Sequence, residues 1–243
     1  MTSVVWQAVA VPPARRPALH SSVLDTIGRQ VVSGELPPGT VLRIDQLDER
    51  HGVSRSVVRE AVRVLDSMGL VEARKRLGVR VLPSSSWNVF DPRVIRWRLD
   101  GPGREQQLLS LGEVRRGIEP VAAELAAAHA SPEQCGVMVG AVVQMAVHAK
   151  SGDLEAYLRA DQLFHATLLA ASGNEMLAAL GDVVVELSPS RPDSATVRLH
   201  GDLGEAVQLG DPAGARAAAL SLASWCPAAV TDRRTASNAR TQA

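Results

Sequence analysis

The chain has 243 residues, enough for one large domain or two ordinary ones. Apolar residues make up 46%, which supports a sizeable core, and the 26 basic and 26 acidic residues cancel, so total charge singles out no partner. The distribution is uneven: residues 1–83 hold 12 basic and 8 acidic residues, a net of +4, and residues 84–243 hold 14 and 18, a net of −4, so a polyanion would meet the front of the chain.

Residues 1–19 carry three prolines and little periodicity and read as a flexible arm. Leu24, Ile27 and Val31 mark one face of a helix that starts near Ser21 or Ser22 and stops at Gly34. "LPPGTVL" is a turn into extended chain. Ile44, Leu47 and His51 mark a second short helix ended by Gly52. Ser54 can cap a third, whose apolar face is Val58, Ala61, Val62, Leu65 and Met68. "GLVEARKRLGVRVLP" then gives two strands, near 70–73 and 79–82, around a basic tip at Arg74, Lys75 and Arg76. Three helices and a basic hairpin over 20–83 form a winged helix-turn-helix pattern.

The Pro/Ser-rich "PSSSWNVFDP" marks a boundary, with a linker over 84–103 and an all-helical antiparallel bundle over 104–226. Its first helix spans roughly 104–129, with Leu108, Leu111, Val114, Ile118, Val121 and Leu125 inward. Ser131, Pro132 and Gln134 carry a capping box for the next. Asp153 caps a helix containing "ADQLFHATL", and further helices cover about 174–187, 197–209 and the segment begun by Asp211 and Pro212. The polar tail, 227–243, reads as disordered. Cys135 and Cys226 lack C-x-x-C spacing, which favours a reducing compartment. With no secretory-type start and no apolar run of membrane-spanning length, the expectation is a cytoplasmic protein that does not engage a membrane.

Two groups of residues carry chemistry. On the third helix Arg55, Ser56, Arg59 and Arg63 stay off the apolar face, where such helices meet base edges and phosphates. Further on, Asp161 and His165 share one helix face with Leu154, Leu158 and Leu168, and His200 precedes Leu203 and Val207 at helical spacing. An inward carboxylate with two imidazoles suits a divalent metal (Zn, Ni, Mn or Fe), a catalytic base or a structural hydrogen-bonded pair, and the spacing alone leaves all three open.

"GELPPGTVL", "HGVSRSVVREAVRVLDSMGLVEARKRLGVRV" and "WNVFDPRVIRW" closely resemble the GntR family of bacterial repressors, in the fatty-acid-regulator branch with an all-helical FCD effector domain. The resemblance runs from about His20 to Trp225. The "WNVFDPRVIRW" and "LGEVRRGIEP" segments look most like sugar-acid (galactonate) operon repressors. It implies a homodimeric, metabolite-responsive repressor that binds a palindromic operator and is released by a small carboxylate, such as an aldonate. Family DNA contacts fall on Ser54, Arg55, Ser56, Arg59, Lys75, Arg76 and Gly78. The family's arginine near the second helix falls on Asp45, with Arg43 nearby on a different register. Val57 stands where the family often has proline or threonine. The family's metal ligands fall on Asp161, His165 and His200, the fourth position falls on Leu222, and the effector-facing arginine falls on Arg115. The segment between His165 and His200 is shorter than is usual there. The alternatives are a metal-dependent enzyme built on Asp161, His165 and His200, and a constitutive DNA-binding protein with a decayed sensor.

Overall fold

The computed structural model describes residues 19–74, 77–184, 186 and 194–224, and the chain divides into two compact units after Asn88. In the first unit, helices α1 (Leu19–Val32), α2 (Ile44–His51) and α3 (Arg55–Ser67) pack with strands β1 (Val41–Leu42), β2 (Val71–Arg74) and β3 (Gly78–Val81). The sheet order is β1-β3-β2, antiparallel throughout, with Leu42 opposite Val79 and Val71 opposite Val81. α3 is amphipathic because Val58, Ala61, Val62 and Leu65 recur at the 3.6-residue period, and all four are buried. They meet a core that includes Val23, Leu24, Ile27 and Val31 of α1 and Val71, Val79 and Val81 of the hairpin. Each such aliphatic side chain contributes about 1.5–3 kcal/mol when removed from water.

Two glycines are required by this unit. Gly69, after α3, has φ 72°, and a Cβ there would lie 2.1 Å from the Ser86 carbonyl oxygen. Gly78, at the start of β3, has φ 96°, and its Cβ would lie 2.7 Å from the Leu42 carbonyl oxygen. Gly78 thus has a backbone reason to be glycine, independent of any DNA contact. The expected tip residues Lys75 and Arg76 lie outside the described residues, as do residues 1–18 of the arm expected over 1–19 and the tail over 227–243, while Leu19 already belongs to α1.

The second unit comprises α4 (Pro92–Asp100), α5 (Arg104–His129), α6 (Pro132–Ser151), α7 (Leu154–Ala171), α8 (Glu175–Ala178), α9 (Gly181–Val184), α10 (Ser194–Gln208) and α11 (Pro212–Ser224). α4 lies in the segment expected to be linker. Asp91 caps it by accepting from the Arg93 N–H, Pro92 opens it, and Ile95 and Leu99 pack with Leu111 of α5 and Val183 of α9. Its nine residues are too few, and its three arginines too prominent, for periodicity to reveal it. The single helix expected over 174–187 is instead two four-residue turns, α8 and α9. The capping box of α6 and the Asp153 cap of α7 form as the sequence predicts.

The main core joins α5, α6, α7, α10 and α11 through Met138, Met145, Tyr157, Phe164, Leu168 and Leu203. α5 lies against α11 through the small residues Ala123, Ala126, Ala215 and Ala219. This contact rotates α5 by about one residue from the expected inward face. Gln107, Leu111, Arg115, Glu119, Ala122 and Ala126 face in, and Val121 is 39% exposed. Similarly, Leu154 at the start of α7 is exposed, while Tyr157, Phe164 and Leu168 fill the core.

Candidate functional site

Three helices of the second unit bring five polar residues together: Arg115 and Glu119 from α5, Asp161 and His165 from α7, and His200 from α10. All five are buried, Glu119 completely, and Arg115 is the most exposed at 9%. Four-residue spacing stacks Arg115 over Glu119 and Asp161 over His165 along their helices. Glu119 Oε1 accepts from Arg115 Nε at 2.8 Å and lies 3.0 Å from His165 Nδ1. His200 Nε2 lies 3.2 Å from Asp161 Oδ1 and 3.1 Å from His165 Nε2, and His165 Nε2 lies 3.8 Å from the same Asp161 oxygen. Arg115 Nη2 lies against both ring nitrogens of His165.

The hydrogen bonds at the far side of each ring decide which nitrogen carries its proton. His200 Nδ1 is 2.8 Å from the Thr196 carbonyl oxygen, an acceptor only, so Nδ1 donates and Nε2 keeps its lone pair. The Glu119 carboxylate plays the same part at His165 Nδ1. Phe164 meets both rings edge-on, with centroids 5.5 and 5.0 Å away. In the neutral rings the two Nε2 lone pairs then face the Asp161 oxygen in a buried space; the Arg115 guanidinium lies on the His165 nitrogen, and a second cation is what the contact of His200 Nε2 with Asp161 lacks.

Charge follows the same pattern. Burial favours the neutral form of the Glu119 carboxyl, but the Arg115 guanidinium, His165 and the hydrogen bonds from both outweigh it and hold the pKa down at about 2. Asp161 is likewise held below its ordinary value: burial opposes ionisation, but the hydrogen bond that a protonated His200 would donate, the charge His165 and His200 would then carry, and the Arg115 guanidinium overcome it. His165 is pushed down, first by burial and then by Arg115, with Glu119 opposing. The imidazole is thus kept neutral, the form that binds a metal.

The donor set fits a divalent ion. Asp161, His165 and His200 offer ligand atoms that all lie within 4.8 Å of one another. Tetrahedral ligands at bond lengths of about 2.0 Å sit roughly 3.3 Å apart, close to the observed 3.1, 3.2 and 3.8 Å. The carboxylate behind His165 and the carbonyl behind His200 are the supports that metal-bound imidazoles use. Leu222 on α11 is buried and brings no donor atom. Sequence reasoning selected Arg115, Asp161, His165 and His200, and the structure brings them together. It missed Glu119, whose signal was its four-residue spacing from Arg115 in "RRGIEP". A separate open groove of about 590 Å³ between α6 and α7, lined by Val137, Gly140, Gln144, His148, Arg159 and Leu163, includes none of the five.

In the first unit, Arg55, Ser56 and Arg59 are exposed on α3, and Arg43 precedes α2. Arg55 Nε donates to Asp48 Oδ2 at 2.9 Å, so α2 steadies the arginine that opens α3. Ser54 occupies the N-cap position with extended backbone, but its side chain makes no cap bond, and its hydroxyl pairs instead with that of Ser56 at 2.8 Å. A helix N-terminus left without a side-chain cap is suited to an anion.

Residues 19–81 match the family described as bacterial regulatory proteins, gntR family, and residues 110–223 match the FCD domain. The chain is 32% identical over 154 residues to the uncharacterized HTH-type transcriptional regulator YieP of Escherichia coli, covering 63% of this chain and 67% of that one. It is 29% identical over 211 residues to the galactonate operon transcriptional repressor of Escherichia coli, covering 82% and 91%. The fold matches, with a TM-score of 0.57 at 18% identity and coverage of 86% and 95%, a solved structure titled for Lar, which controls expression of the Listeria monocytogenes agr system. The family and these relatives are transcriptional regulators, so the enzyme alternative is set aside. The chain belongs to the GntR family, with an FCD domain, and is a DNA-binding transcriptional regulator.

Proposed function

We propose that this regulator represses an operon for sugar-acid catabolism and releases its operator when a small carboxylate, such as an aldonate, enters the second unit. The observation that carries the reading is the convergence of Arg115, Asp161, His165 and His200 inside the FCD domain. The likeness to a galactonate operon repressor over 82% of the chain supports the choice of ligand class. Arg115 would pair with the carboxylate through its planar fork. Asp161, His165 and His200 would hold a divalent ion (Zn, Ni, Mn or Fe), which when bound supplies a Lewis acid for the same carboxylate. Leu222 leaves the fourth position to water or ligand.

At the DNA end, Arg55, Ser56 and Arg59 would reach base edges from α3 in the major groove, and Ser54 with the open start of α3 would take a phosphate. Arg43, Lys75, Arg76 and Gly78 would contact the backbone or adjoining groove. A homodimer in the cytoplasm would match a palindromic operator, with DNA affinity falling steeply as salt rises. Among the described residues, no helix is long and apolar enough to cross a membrane. The test is metal analysis of the purified protein together with binding to DNA upstream of its own gene. About one ion per chain, lost in Asp161→Ala and His200→Ala, is the expected result. Failure to bind that DNA would overturn the repressor reading.

A further inference from the structure

We propose that Glu119 is a specificity-determining residue that accepts a hydrogen bond from a hydroxyl of the bound acid. The inference rests on the reading of this site as a carboxylate sensor and goes beyond it by assigning what distinguishes one acid from another. The two oxygens of Glu119 are used unequally. Oε1 is engaged by Arg115 Nε and His165 Nδ1, at 2.8 and 3.0 Å. Oε2 is buried and has no hydrogen-bond partner among the described residues.

A carboxylate kept ionised in such a place is an acceptor only, and an unmet acceptor in a water-poor interior is costly. Its Oε1 is ion-paired with the Arg115 guanidinium at 2.8 Å, the geometry of a carboxylate that accepts. Among the described residues none donates to Oε2, and the Nε2 atoms of His165 and His200 face Asp161 and each other. The donor assigned to it here is a hydroxyl of the ligand.

The neighbouring group narrows the choice. Arg115 is the partner of Glu119 and the most exposed residue of the five, so the carboxylate end of a ligand meets this side of the cluster. A donor one carbon away from that carboxylate is placed for Glu119. A 2-hydroxy acid has both groups at that spacing. A 2-oxo acid presents an acceptor to an acceptor, an unsubstituted acid presents nothing, and a second carboxylate is repelled. A site that needs a hydroxyl rejects the analogue without it more strongly than an apolar pocket rejects an extra methylene, because its own buried polar group is left unpaired.

The test measures binding of three matched series, 2-hydroxy, 2-oxo and unsubstituted acids of three to six carbons, to the full-length protein by calorimetry. The expected result is that the tightest 2-hydroxy acid binds on the order of 100-fold better than its 2-oxo and unsubstituted counterparts. Glu119→Gln, checked for folding by circular dichroism, should shrink the hydroxy-over-oxo ratio toward one, since an amide both donates and accepts. If that variant fails to fold, the ratio in the native protein decides. No binding by any acid overturns the sensor reading and this inference with it. Binding with no preference for the hydroxyl, or a preference that survives Glu119→Gln, overturns the role of Glu119 alone.

Discussion

Glu119 on α5 and His165 on α7 meet at 3.0 Å, Oε1 to Nδ1, and neither residue is more than 1% exposed. Glu119 thereby joins the ion pair of its own helix to the imidazole that faces Asp161 and His200. Removing it takes from the buried Arg115 guanidinium the carboxylate of its own helix. Glu119→Ala should cost about 3–5 kcal/mol, the usual penalty for breaking a buried pair. Urea unfolding of the second unit, followed by circular dichroism, measures this. A loss below about 1 kcal/mol would mean that Arg115 finds solvent when its partner goes.

Acid should weaken the second unit in two stages when the protein is kept in chelator. His165 has a lowered pKa in the folded state, so below about 6.5 the unfolded chain takes up a proton that the folded one refuses, and stability falls with pH. Glu119 is depressed from 4.5 to about 2, so its contribution is present above 4.5 and is lost as pH falls toward 2. That second stage is worth roughly 3 kcal/mol by the pKa difference. Thermal unfolding from pH 7 to pH 3 should show Tm falling across both windows, and in the Glu119→Gln variant the lower stage should shrink to what the depressed Asp161 contributes.

Arg55 and Asp48 form the corresponding link in the DNA-reading unit. Arg55→Ala should cost about 1–3 kcal/mol in operator binding, with a smaller loss on unrelated DNA. Asp48→Ala should change stability by no more than about 1 kcal/mol, since the pair is largely exposed on the Arg55 side. It should still lower operator selectivity by leaving Arg55 unsteadied. Fluorescence anisotropy with operator and scrambled duplexes reads both. Equal losses on the two duplexes would make Arg55 a phosphate contact.

Gly69→Ala should destabilise the first unit by about 3 kcal/mol, because the residue needs positive φ and its Cβ would meet the Ser86 carbonyl oxygen. Gly52→Ala, also at positive φ but with nothing within 4 Å of its Cβ, should cost less. Calorimetric melting of the two variants separates backbone strain from collision.

The first unit was legible because its helices are short, punctuated by glycine and strongly two-sided. α3 showed its buried residues directly in the sequence, and the hairpin strands differ from expectation by a single residue. α5 was legible in extent but not in orientation. Its larger apolar residues suggested one face, whereas close approach to α11 selects the alanine face and turns Arg115 and Glu119 inward. Periodicity weighs side chains by apolarity and does not register that the smallest ones allow two helices to come together. Glu119 was missed for that reason: on the expected face it would have been a solvated acid. Asp161 and His165 were found because one four-residue step on an otherwise apolar helix leaves little choice of direction.

The most direct test of the account is operator release. The wild-type protein, bound to the DNA upstream of its own gene, is titrated with a 2-hydroxy sugar acid while anisotropy is followed, and the titration is repeated with Arg115→Ala. The account requires the acid to weaken DNA binding by a factor of roughly 5–150 in the wild type and to have no effect on the variant, which should still bind DNA. Release that proceeds unchanged in Arg115→Ala would contradict it.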